Sequence, residues 1–220
     1  MKYLSFFILL FIGELSVSAQ HMFSRQFPFF NQLSSNEIFS IHQDREGYFW
    51  IGTTNGLARY DGYQLNTFRT DYKNQNLLTD NGITAINDND LYVWIGTWKG
   101  LNLYNKKTCR ITPFSDARLL NKVVDAITVD KDGNVWVSAG GMIYRCDSTA
   151  HIIKEYEVAN IQEGYAISNI YVDQQKQLWA VGSRGIFRYE PETDSFFRYP
   201  PLGNGHTAYI MHQDSSGNYW

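Results

Sequence analysis

The chain has 220 residues and a mass of 25.5 kDa, enough to bury a substantial core in one large domain or two small ones. Ordinary glycine and proline usage (17 and 5 residues) excludes collagen-like and low-complexity chains. A net charge of −3, with 19% charged residues, excludes the clustered basic surface of a nucleic-acid-binding domain, while 16% aromatic content favours packed β-structure.

The N-terminus reads M-K-Y-L-S-F-F-I-L-L-F-I-G-E-L-S-V-S-A-Q, with Lys2 as a short positive start and small residues before Gln20. This pattern predicts a signal peptide over residues 1–19, cleaved after Ala19. Its apolar run, Tyr3–Ile12, is ten residues long, about half of the roughly 20 that span a bilayer. No cysteine near the cleavage point could carry a lipid, so the mature region, 20–220, is expected outside the cytoplasm.

The next feature is a ruler. Trp50, Trp94, Trp136, Trp179 and Trp220 are spaced by 44, 42, 43 and 41 residues, and an Asp precedes each by six: Asp44, Asp88, Asp130, Asp173 and Asp214. Glycines follow three of these aspartates in D-R-E-G-Y-F-W, D-K-D-G-N-V-W and D-S-S-G-N-Y-W. Beyond the Trp come W-I-G-T-T-N-G-L-A-R-Y, W-I-G-T-W-K-G-L-N-L-Y, W-V-S-A-G-G-M-I-Y-R-C and W-A-V-G-S-R-G-I-F-R-Y. In the first copy, turn signals divide strands at Ile38–Asp44, Phe49–Thr53, Leu57–Tyr60 and Leu65–Arg69. Four short strands per repeat of about 43 residues make a β-propeller blade. The predicted fold is therefore all-β: four four-stranded blades and a partial fifth, of a ring that would number seven. Phe27 precedes Trp50 by 23 residues, as Phe197 precedes Trp220, which predicts an outermost strand, unpaired, at Phe27–Phe30.

Each ruler Trp is expected to be a plate between neighbouring blades, and each Asp to pin the turn that follows it. D-R-E-G and D-K-D-G lack the ligand ladder of a calcium loop, and the histidines and cysteines lack zinc-ligand spacing, so no metal or other cofactor is expected. Cys109 and Cys146 are too few for a disulfide framework; small apolar packing is the leading reading, with a bridge left open.

The segment I-H-Q-D-R-E-G-Y-F-W-I-G-T-T-N-G-L-A-R-Y-D, Ile41 to Asp61, resembles the two-component regulator propeller repeat, and the later copies resemble it more loosely. The resemblance implies the N-terminal part of the periplasmic sensor of a hybrid two-component system. Such proteins combine two propellers, a small β-sandwich, one membrane span, a histidine kinase, a receiver and a helix-turn-helix domain. It also implies an oligosaccharide ligand, self-association of the sensor, and attachment to the inner membrane only through parts beyond residue 220. No kinase motif or catalytic spacing occurs in these residues, so the region itself is expected not to be an enzyme. A propeller-fold glycan-active enzyme or lectin, or an envelope docking scaffold, are the alternatives, because fold alone does not choose function.

Ligand contacts are expected from the turns between second and third strands, T-T-N-G, T-W-K-G, A-G-G and S-R-G, and from the crossings between blades. Trp98, the one Trp off the ruler, could stack on a sugar face; Lys99 or Arg184 could hold an acidic glycan, and Asn55 occupies the matching turn of the first copy. Packing of Trp98 on a neighbouring loop is the competing reading. Asn81 and His206 in the crossings are further candidates.

Overall fold

The computed structural model describes residues 29–70, 77–158, 167–183, 185–199 and 208–220; the signal segment, Arg184 and His206 lie outside them. Sixteen strands form four antiparallel sheets among these residues, each in chain order. The first contains β1 (Ile38–Gln43), β2 (Phe49–Thr53), β3 (Gly56–Tyr60) and β4 (Leu65–Phe68). The second contains β5 (Ile83–Asp88), β6 (Tyr92–Thr97), β7 (Gly100–Asn105) and β8 (Arg110–Pro113). The third contains β9 (Val124–Val129), β10 (Val135–Ala139), β11 (Met142–Cys146) and β12 (Ile152–Glu157). The fourth contains β13 (Ile167–Val172), β14 (Leu178–Gly182), β15 (Gly185–Glu190) and β16 (Ser195–Arg198). First strands of consecutive sheets touch, β1 with β5, β5 with β9 and β9 with β13, so they are the innermost strands of successive propeller blades.

The first four ruler tryptophans pack forward onto the next blade. Trp50 meets Ile83, Ile86 and Ile95; Trp94 meets Val124, Ile127 and Val137; Trp136 meets Ile167, Ile170 and Ala180; Trp179 meets Met211. The glycine of W-I-G-T serves the same joint. A Cβ on Gly52 would lie 2.7 Å from Ile83 Cγ2, and one on Gly96 2.6 Å from Val124 Cγ1, so the blades approach as closely as they do only without side chains there. Ile41, whose counterparts Ile86, Ile127 and Ile170 are buried against the preceding blade, is 63% exposed.

Three complete blades share one turn. Asp44 Oδ1 accepts from the N–H groups of Glu46 and Tyr48 while Oδ2 accepts from Trp50 Nε1 at 2.7 Å, and Asp130–Trp136 and Asp173–Trp179 repeat the indole bond at 2.8 Å. The start of a fifth unit repeats it again, through Asp214 and Trp220 at 3.0 Å and a single antiparallel bridge between Gln213 and Tyr219.

The second blade departs from the expected role of Asp88. Trp50, Trp136 and Trp179 pair with residues eight places earlier, but Trp94 pairs with Asn87, seven earlier. The turn is one residue shorter, so Asn89 pins it, accepting from the N–H groups of Leu91 and Tyr92. Asp88 stays in the strand, opposite Val93, and Trp94 Nε1 is buried without a partner.

The expected strand at Phe27–Phe30 is also corrected. Phe27 and Pro28 lie outside the described residues, and Phe30–Gln32 forms a single 3-10 turn. Both cysteines are free: Cys146 is buried as expected, whereas Cys109 is exposed on a turn with a positive φ of 56°.

Candidate ligand-binding site

The turns between second and third strands leave every blade at the end where the crossings enter, and hydrogen bonds tie the two together. Gly56 N donates to Asn81 O at 2.7 Å, Trp98 N to Gly82 O at 3.1 Å, Asn121 N to Lys99 O at 3.2 Å and Gly140 N to Val123 O at 3.3 Å. This end therefore has backbone rigid enough to hold side chains in place.

Trp98 stands on that frame. Its indole lies flat enough against Gly82 that a Cβ there would come within 2.3 Å of Cε3, so glycine is required beneath it. Its edge meets the ring of Phe39 at a centroid distance of 6.1 Å, and Trp98 and Phe39 remain 43% and 55% exposed. The two readings of Trp98 thus coexist, a packed underside and an open aromatic face. Lys99, beside it, places Nζ 3.1 Å from Asp80 Oδ2. Asn55 is fully engaged: its N–H donates to Thr53 Oγ1, Nδ2 donates to the Ser34 carbonyl, and Oδ1 accepts from the Arg69 guanidinium. Asn81 is similarly spent on Gly56 N and Thr70 N. Arg184 and His206 lie outside the described residues.

Sequence reasoning missed a set of inner-strand positions at this end. Every first strand carries a bulge near its start, where the pairing skips Phe39, Thr84, Asp125 and Ser168. The signal was the recurring I-F-S-I, I-T-A-I, V-D-A-I and I-S-N-I, whose second residue is the bulged one. Burial pushes the Asp125 carboxyl up to about 6.

The opposite end holds a cavity of about 750 Å³ between the third and fourth blades, lined by Asp130, Arg145, Gln177, Tyr189 and Asp194 among others. Two of its carboxylates are engaged within the protein. Burial alone would raise the Asp194 carboxyl, but hydrogen bonds from Lys154, Tyr156 and Tyr189 hold it below the usual carboxylate range. Asp130 is consumed by its turn and by Trp136. Also at this end, Asp88 joins the first two blades: His42 Nε2 donates to it at 2.7 Å and Lys106 Nζ at 2.6 Å.

The profile of the two component regulator propeller family matches residues 32–55 and 118–141, the segments that carry the β1–β2 and β9–β10 hairpins. Solved propellers are similar at low identity. The extracellular domain of the proposed one component system BT4673 from B. thetaiotaomicron is 20% identical with a TM-score of 0.66, covering 84% of this chain and 26% of that one. A structure of the extracellular domain of BT4673 described as a proposed hybrid two component system gives 18%, 0.56, 83% and 30%. Virginiamycin B lyase from Staphylococcus aureus gives 17%, 0.63, 84% and 62%. This chain spans less than a third of the length of the first two, and likeness at these identities establishes the fold. No curated protein matches the sequence. Among the described residues, no helix is long and apolar enough to cross a membrane.

Proposed function

Because this chain carries two component regulator propeller repeats, we propose that it is the periplasmic sensing module of a hybrid two-component system, binding oligosaccharide and regulating a histidine kinase. The observation that carries the ligand reading is Trp98, an open indole held on the Gly82 backbone at the turn end, away from every blade-packing position. Aromatic faces of this kind stack on the C–H faces of sugar rings, and Phe39 extends the platform towards the axis. Binding there touches two blades at once, Trp98 from the second and Phe39 from the first. It can therefore bias how blades and paired sensors are arranged, which is the form a coupling free energy takes.

Calorimetric titration of oligosaccharides against the protein and its Trp98→Ala variant tests the reading. Binding should be lost while stability changes by no more than about 1 kcal/mol. A variant that binds as wild type removes Trp98 from the site, and one that fails to fold assigns it to packing.

The likeness to virginiamycin B lyase favours a second reading, a propeller enzyme. Turnover of a bound saccharide, followed by chromatography of products after prolonged incubation, would favour it; recovery of intact ligand favours the sensor.

A further inference from the structure

At the end opposite Trp98, the turn after each first strand is tied to the next blade, with one exception. The first blade's turn reaches the second through Arg45, whose N–H donates to Asp88 Oδ2 and whose guanidinium pairs with Asp90 at 2.5 Å. The second blade's turn reaches the third through Asn89, which donates to the Ser148 carbonyl at 3.1 Å. The fourth blade's turn reaches the fifth unit through Gln174 and Gln175, both bonded to Gln213. Among the described residues, the third blade's turn, 130–134, makes no hydrogen bond or ion pair to the fourth blade, and the cavity of about 750 Å³ opens there.

The first joint shows what has been withdrawn from the third. In both, the arginine nine residues after the ruler Trp lies over that Trp: Arg59 is 5.8 Å from the Trp50 ring centroid, and Arg145 is 5.5 Å from that of Trp136. In the first joint the Tyr48 ring also faces Arg59, at 4.8 Å, and the Tyr104 hydroxyl accepts from its guanidinium. In the third, Asn134 stands in the place of Tyr48 and donates its amide to Asp130 Oδ2 at 2.9 Å. Tyr189 stands in the place of Tyr104, and its hydroxyl donates to Asp194 at 2.6 Å. The ring and the hydroxyl that engage Arg59 are therefore missing around Arg145. Its nearest carboxylate oxygen, Asp194 Oδ1, is 4.0 Å away, beyond hydrogen-bond reach, whereas the matching arginine of the fourth blade, Arg188, pairs with Glu190.

The lining keeps a positive charge. Asp130 accepts from the N–H groups of Asp132 and Asn134, the Asn134 amide and the Trp136 indole, and Asp194 accepts from Tyr156, Tyr189 and Lys154. Lys131 and Lys176 are exposed and pair with no carboxylate among the described residues. Lys131, Arg145, Lys176 and the neighbouring Lys154 thus face three carboxylates, Asp130, Asp132 and Asp194, and one positive charge is left over. We infer that this cavity binds a small organic monocarboxylate, which pairs with the open edge of Arg145 and lies between the Lys131 turn of the third blade and the Lys176 turn of the fourth. A guanidinium edge takes a carboxylate through two parallel hydrogen bonds, and the cavity has the size of a small-molecule site. The ligand supplies the link between turns that the other joints make from protein. This site is separate from Trp98 and does not rest on the saccharide reading.

Calorimetry and thermal melts at pH 7.5 test it with galacturonate, 4-hydroxybenzoate and indole-3-acetate, each beside its neutral amide, and with tyramine and tryptamine as cationic counterparts. Wild type, Trp98→Ala, Arg145→Met and the double variant Lys131→Gln/Lys176→Gln are compared. At least one carboxylate should bind wild type and Trp98→Ala equally and raise the melting temperature of both, since a ligand held only by the folded state stabilises it. Affinity should fall at least tenfold in Arg145→Met, which keeps an unbranched chain over Trp136, and at least threefold in the double variant. Should Arg145→Met fail to fold, the double variant, confined to exposed side chains, decides alone. Unchanged affinity in either folded variant overturns the inference. So does an amide that binds as tightly as its acid, an amine that binds more tightly, or a panel in which no carboxylate binds at millimolar concentration. Loss of carboxylate binding in Trp98→Ala would place the anion at the other end and overturn it as well. Oligosaccharide binding at Trp98 stands or falls separately, because no outcome here measures it.

Discussion

The first two blades present the same six-residue interval between Asp and Trp, and they use it in different ways. In the first, Asp44 pins a glycine turn and takes the indole N–H of Trp50. In the second, the turn is one residue shorter, Asn89 pins it, and Asp88 lies within the strand, joined to His42 and Lys106. A conserved interval in sequence is therefore not a conserved contact. What fixes the role of a residue here is its pairing register, since a slip of one residue along a strand turns a side chain to the other face. The second blade lost the Asp–Trp bond and gained a carboxylate that accepts from His42 and the Arg45 N–H of the first blade and pairs with Lys106 of its own.

The largest expected effect comes from removing that carboxylate. Asp88 and Lys106 are 5% and 6% exposed, so removing the carboxylate leaves a buried ammonium without its partner. Asp88→Ala should destabilise the protein by about 3–5 kcal/mol, measured by urea unfolding, and the double variant Asp88→Leu/Lys106→Met should recover most of the loss. A single variant within about 1 kcal/mol of wild type would mean that the joint contributes nothing. Trp50→Ala is expected to cost a similar amount, about 3–5 kcal/mol, by emptying the contact between the same two blades.

Acid provides a smaller and reversible way to break the joint. Burial alone would raise the Asp88 carboxyl, but the hydrogen bonds from His42 and Lys106 hold it down to about 2, against about 3.9 in an unfolded chain. A carboxyl depressed in the folded state stabilises it above the unfolded value, and that stability is lost as pH falls from about 4 through about 2. The stability gap between wild type and Asp88→Asn should shrink by about 2–3 kcal/mol between pH 7 and pH 2. Asp194, also held low, remains in both proteins and cancels from the difference. A gap that is the same at both pH values would show that Asp88 is not ionised in the joint.

Much of this architecture was legible in the sequence. The tryptophan ruler gave the blade count and forward packing, and turn glycines bounded the first copy's strands to within a residue: Ile38–Gln43, Phe49–Thr53, Gly56–Tyr60 and Leu65–Phe68. The register of the second blade was legible too, through a different ruler. Ile41, Ile127 and Ile170 precede their Trp by nine residues but Ile86 by eight. The site was less legible. Trp98 was visible because it broke the period. Asp125 was not, because a bulged residue looks like any other strand residue until the partner strand shows that it was skipped. Contacts between strands distant in sequence leave little trace in any one segment, which is why spacing alone suggested a strand reaching Phe30, where a 3-10 turn begins.

The finest test of the comparison concerns one proton. Trp50 and Trp94 are both fully buried between blades, and both would lose similar apolar area on substitution by Phe. They differ at Nε1, where Trp50 donates to Asp44 at 2.7 Å and Trp94 has no partner. Trp50→Phe therefore adds two penalties to the change in volume: a lost charge-assisted hydrogen bond, and a buried carboxylate oxygen left without its donor. Trp94→Phe instead removes an unsatisfied buried N–H, which offsets part of its volume cost. The two variants should differ by about 1–3 kcal/mol in urea unfolding, with Trp50→Phe the less stable. Restoring the missing acceptor is unnecessary to decide the matter, because Asp44→Asn supplies a control. An amide that turns its NH2 towards the indole cannot accept from it, so Trp50→Phe should cost less on that background than in wild type. If Trp50→Phe and Trp94→Phe are equally destabilising on the native background, the indole bond contributes nothing. The recurrence of Asp at six residues would then serve the turn alone, and the second blade would have given up nothing by shortening it.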